Sequence, residues 1–156
     1  MTHVTFLELA RKEAPMLPSS HHGSWRGPNR LWLEDPARPE RSDGALEASE
    51  STLAYTWSFR GKQHEGRIEL TGQPQAIQAV WSDSWHAKDG MALHGSGAHG
   101  TIALYGTYSS GDGVDWGWQI ELDVRDPEHL TLRMFNVPPD GEPQLSVDLR
   151  GARSLL

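Results

Sequence analysis

Leu53, Tyr55, Trp57 and Phe59 alternate with Ala54, Thr56, Ser58 and Arg60. A period of two marks a strand with one buried and one wet face. After a short turn at Gly61-Lys62 the alternation returns. His64, Gly66, Ile68 and Leu70 then share one face, and Gln63, Glu65, Arg67 and Glu69 the other. Gly72-Gln73-Pro74-Gln75 turns the chain again, and Ile77, Ala79, Trp81, Asp83 and Trp85 fall on one side of the next strand. Lys88-Asp89-Gly90 suits a three-residue hairpin loop with glycine in the left-handed position. Met91, Leu93 and Gly95 continue the inner face beyond it.

The second half keeps this rhythm. Ile102, Leu104 and Tyr108 alternate within 101–108, before a glycine-rich loop. Trp116, Trp118, Ile120, Leu122 and Val124 form the cleanest alternation in the chain. Asp126-Pro127-Glu128 turns into Leu130, Leu132, Met134 and Asn136, and Pro138-Pro139-Asp140-Gly141 into Leu145, Val147 and Leu149.

The first fifty residues are less regular. Thr5-Phe6-Leu7-Glu8 has the form of a capping box, with Phe6, Leu7, Leu9 and Ala10 giving a short helix one apolar face. Pro15 and Pro18 end it, and Ser19 to His22 reads as a loop with two solvated histidines. A first strand is expected over 24–33. From Asp35 to Glu50 no period holds, and its first part reads as a long exposed loop. The whole is all-β: an up-and-down antiparallel barrel of about nine or ten strands, closed so that no edge is left open. One domain covers 1–156, with 1–20 as helix and lead-in and 21–153 as the barrel. A two-sheet sandwich is the alternative.

Composition narrows the partners. A net charge of −7 argues against nucleic acid. No apolar run is long enough to cross a bilayer, so no membrane association is expected. With no cysteine there is no thiolate chemistry. A cytoplasmic location is expected, and a homodimer is compatible with the sequence. The 7 tryptophans allow a few large rings to fill much of the core.

The short helix, the Gly23-Ser24-Trp25-Arg26-Gly27 start and the antiparallel strands after it resemble the calycin superfamily of lipocalin-like and nitrobindin-like barrels. The pattern is most similar to a bacterial lipocalin-like family of unknown function. The likeness extends to Ala79-Val80-Trp81-Ser82-Asp83-Ser84 and Pro139-Asp140-Gly141-Glu142, and it covers about 6–153. It implies that Trp25 closes the barrel under a basic residue, here Arg150 or Arg153. Nitrobindin-like barrels hold haem through a histidine near their last strands. Here His129 sits at a turn and the last strand has none, so no cofactor is expected.

Turn lengths give a register. Pairing Arg60 with Gln63 and Gly72 with Gln75 sets Gly66 between Trp57 and Trp81 and places His64 opposite Asp83. A buried carboxylate needs a partner, and His64 is then the one available. Asp83 and His86 are expected to face opposite ways, three apart on one strand. Inward Gly66 and Gly95 leave room for neighbouring indoles or for a ligand. Asn136, paired with Trp118, could donate to such a ligand. His86, His94 and His99 lie in one hairpin region but do not converge, so no metal site is expected. Three functions follow. The first is a binder of a small apolar or planar ligand, lined by Tyr55, Trp57, His64, Trp81, Asp83, Trp85, Trp118 and Asn136. The second is an enzyme using His64–Asp83 in the same cavity, although no catalytic residue is assigned. The third is a packed structural or interaction barrel.

Overall fold

A computed structural model gives the fold for residues 16–33, 35–109, 111 and 113–153. The short helix expected to start at the Thr5–Glu8 capping box, with Phe6, Leu7, Leu9 and Ala10 on its apolar face, lies outside the described residues. A 3-10 turn, Ser19–His21, leads into ten strands. They are β1 (Gly23–Leu31), β2 (Glu40–Ala48), β3 (Thr52–Phe59), β4 (Lys62–Gln73) and β5 (Ala76–Asp83), then β6 (Ala87–Ala98), β7 (Thr101–Ser109), β8 (Asp115–Asp123), β9 (His129–Val137) and β10 (Gln144–Arg153). Each pairs antiparallel with the next, and β1 pairs with β10, so the sheet closes on itself. It is the expected up-and-down barrel. Among the described residues no helix is long and apolar enough to cross a membrane.

β2 has no counterpart in the hydrophobic pattern. Its inward positions run Ser42, Gly44, Leu46 and Ala48, so Leu46 is the single large apolar residue among them. A methyl at Gly44 would lie 2.4 Å from Leu149 Cδ1. β10 therefore fills space that β2 leaves empty, and β2 needs no apolar stripe of its own.

The hairpin registers differ from expectation by two residues, in opposite senses. Between β3 and β4 the loop is Arg60-Gly61, with Phe59 paired to Lys62. Both loop residues have positive φ, 50° and 81°, the geometry of the two-residue turn that matches strand twist. Between β4 and β5 the loop is Pro74-Gln75, with Gln73 paired to Ala76. This puts proline at the first central position of the turn, which suits its fixed φ, rather than at the second, where it is disfavoured. Shifts of two keep every side chain on its expected face and change its neighbours. Trp57 now pairs with His64, and Gly66 lies between Tyr55 and Asp83.

The β5–β6 turn also moves. Residues 84–86 make it, β6 starts at Ala87, and the ladder shifts between Trp81 and Asp83. Gly90, with φ of 83°, serves a bulge in β6 instead of the expected loop.

The end of the barrel reached by the lead-in is closed by fully buried Leu17 and Trp25. Trp25 donates its indole N–H to His21 O at 2.9 Å, and the Arg153 guanidinium lies 4.0 Å from its ring centroid. Arg153 also donates to the carbonyls of His22, at 2.9 Å, and of Ser20. Arg153 is thus the basic residue over Trp25. His21 is not solvated: it is buried, stacked on Trp25, and donates from Nε2 to Asp126 O at 2.9 Å. The loops after β1, β3, β5, β7 and β9 surround the opposite end, the mouth.

Candidate functional site

Asp83 ends β5 with its side chain inward. Its Oδ1 accepts the backbone N–H groups of Trp85, at 2.7 Å, and His86, at 2.9 Å. An aspartate at the head of a turn commonly caps the next N–H groups in this way. The turn brings His86 back over the carboxylate, with Nδ1 3.4 Å from Oδ1. The expectation that Asp83 and His86 face apart is thereby corrected. It assumed a strand through residue 86, whereas the strand ends at 83.

The other carboxylate oxygen, Oδ2, accepts the Tyr55 hydroxyl at 2.5 Å, and that hydroxyl accepts the Trp81 indole N–H at 2.8 Å. Gly66 makes this reach feasible. A Cβ there would lie 2.1 Å from Tyr55 Cζ, so the phenol ring crosses β4 through the volume a side chain would occupy. The room expected beside Gly66 is filled by Tyr55. Gly95 offers none either, since a Cβ there would meet Ala103 O at 1.8 Å. Burial pushes the Asp83 carboxyl up, but the His86 side chain, the Tyr55 hydroxyl and the His86 backbone N–H outweigh it and hold the pKa below the ordinary value. Burial, then the charge and hydrogen bond of Asp83, push Tyr55 well above its ordinary value.

The expected His64–Asp83 pair does not form, because the registers place His64 beside Trp57. The His64 ring stacks on Trp57 at 4.8 Å, meets Trp85 edge-on at 4.8 Å, and pairs through Nδ1 with Ser84 Oγ at 3.3 Å. Trp57 and Trp81 are buried in the same aromatic layer. Trp116 is half-buried nearer the rim.

Above this layer the mouth opens into a cleft of about 690 Å³. It is lined by Trp85, His86, Trp118 and Asn136 together with Trp32, Asp35, Pro36 and Leu145. Trp118 stacks on Trp81 with centroids 5.2 Å apart and planes 7° off parallel. Trp118 and Asn136 are directly paired across β8 and β9. Of the expected ligand contacts, the cleft therefore brings together Trp85, Trp118 and Asn136. Tyr55, Trp57, His64, Trp81 and Asp83 form the layer beneath or beside it. His86 and Trp32 were not among the expected contacts. An aspartate two and three residues before Trp85 and His86 was the available signal for His86.

A broader groove of about 750 Å³ crosses the outer wall of β2–β5, lined by side chains such as Thr56, Glu65, Arg67 and Lys88. Those four are exposed or half-exposed, and Tyr55, Gly66 and Asp83 border the groove as well.

No protein-family model matches this chain, and no curated protein matches it. The molecule is defined by its architecture: a closed ten-stranded antiparallel barrel with an aromatic cleft at one end.

Proposed function

We propose that this is a calycin-like barrel that binds a small planar, largely apolar molecule in the cleft at its mouth. The observation that carries the reading is the cleft itself. Its volume of about 690 Å³ and its lining of Trp32, Trp85, Trp118, His86 and Asn136 match the size and mixed chemistry of small-molecule sites. The filled space beside Gly66 and Gly95 supports a site at the mouth rather than on the barrel axis, where the sequence suggested it. The calycin reading is supported by the Trp25–Arg153 closure. A net charge of −7 and the absence of cysteine fit an intracellular binder of small molecules rather than of nucleic acid. An enzymatic role for His64 and Asp83 loses its support, since the two do not meet.

The test is a fluorescence titration with N-phenyl-1-naphthylamine, a neutral planar probe. Saturable binding is expected, weakened about tenfold or more in Trp85→Ala. Trp85 is half-buried at the rim, so its loss should leave the barrel folded. Absence of saturable binding, or equal affinity in the variant, would overturn the reading.

A further inference from the structure

We infer that the cleft selects an uncharged planar molecule bearing hydrogen-bond acceptors on its edge, and that Trp118 and Asn136 recognise those acceptors. This rests on the cleft being a binding site and specifies what it takes.

Trp118 is 6% exposed, and its Nε1 has no hydrogen-bond partner among the described residues. An indole N–H can donate and cannot accept. Asn136 stands directly opposite on β9. Tyr108 donates its hydroxyl to Asn136 Oδ1 at 2.6 Å, which holds the amide oxygen toward Tyr108. The amide NH₂, at a half-buried position, is the group left to donate. Trp118 and Asn136 both line the cleft; the indole N–H is buried there without a partner among the described residues, and the asparagine amide sits beside it. Buried donors are normally paired, so an occupant with a carbonyl oxygen or ring nitrogen at this edge would complete the indole N–H and meet the Asn136 amide beside it.

Charge excludes the stronger acceptors. Asp83 lies beneath His86, Asp35 stands at the rim, and the chain carries a net charge of −7. A carboxylate or phosphate would meet this negative field. A neutral carbonyl edge satisfies the donors without that repulsion, and its ring plane can lie against the indoles.

Calorimetric titration with coumarin, naphthalene and 1-naphthoate separates the terms. The three are similar in size, and they differ in carrying a neutral acceptor, no acceptor and an anionic one. Coumarin is expected to bind at least tenfold tighter than either of the others. Trp118→Phe keeps an aromatic ring and removes the N–H. It should lower coumarin to the level of naphthalene while naphthalene changes little. Should that variant fail to fold, Asn136→Leu, at a half-buried position, should reduce the same preference. Equal binding of coumarin and naphthalene to the unaltered protein would leave the cleft reading standing and overturn this one. So would a preference untouched by the substitutions, or a preference for 1-naphthoate. Failure of all three probes to bind would overturn both readings.

Discussion

The hydroxyl of Tyr55 reaches Oδ2 of Asp83 across an intervening strand, at 2.5 Å, because the residue between them is Gly66. The three residues form one row over β3, β4 and β5. The Tyr55 hydroxyl on Oδ2 and the Trp85 and His86 backbone N–H groups on Oδ1 leave a carboxylate in an aromatic layer partnered at both oxygens.

Tyr55→Phe removes the donor and leaves Oδ2 buried without it. An unsatisfied buried acceptor costs about 1–3 kcal/mol, and urea denaturation should show a loss of that order. In an Asp83→Asn background the same change should cost less, because the two residues share one interaction. Equal losses in both backgrounds would show that the hydrogen bond contributes nothing.

Gly66→Ala tests whether the space is filled. The new methyl would meet the Tyr55 ring at 2.1 Å, so the ring must move and release Asp83. Destabilisation of about 1–3 kcal/mol is expected, read by thermal melting. An unchanged melt would mean that open volume lies beside Gly66.

Asn29 points into the barrel, fully buried, with neither amide atom hydrogen-bonded among the described residues. Leucine has a similar size and no polar group to desolvate. Asn29→Leu should therefore raise stability by about 1–3 kcal/mol. A lower denaturation midpoint would show that the amide carries an interaction the fold needs.

The pH dependence has two limbs. Asp123 is held down to about 2, chiefly by the Arg125 side-chain hydrogen bond; Asp83 is also lowered. In the unfolded chain both carboxyls titrate near ~3.9. Below that value the unfolded state binds protons that the folded state refuses. Stability should therefore fall from about pH 4 down through about pH 2, and Arg125→Gln should shrink this limb. Tyr55 is raised in the fold, so its contribution is complete below the ordinary tyrosine value, ~10, and is lost as pH climbs beyond it. Tryptophan fluorescence and tyrosinate absorbance across the two ranges would measure both limbs. A flat acid limb would contradict the first account, and a Tyr55 that titrates at the ordinary value the second.

The strands beyond residue 50 were legible because large apolar residues mark their inner faces at every second position. The same parity kept Tyr55, Trp57, Trp81 and Asp83 on the correct face when both registers were off by two. Pairing was less legible. Moving a two-residue loop by one position alters which residues meet without altering which way they point. The phenol over Gly66 and the missing His64–Asp83 pair both follow from that. β2 was hidden because Gly44 borrows its filling from Leu149. His86 was hidden because its position depends on the turn Asp83 builds, and periodicity says nothing of where a strand stops.

The Trp25–Arg153 closure also bears on how the chain reaches this state. Arg153 bonds a carbonyl 131 positions earlier in the sequence, and β1 has one unpaired edge until β10 is available to cover it. Local hairpins can form as they emerge, but the ring cannot. Contacts of such long sequence separation slow folding, and an open strand edge is a template for another chain. The last ten-residue strand, Gln144–Arg153, therefore acts as the bolt of the assembly, and the interval before it slides home is when this protein is most exposed to aggregation.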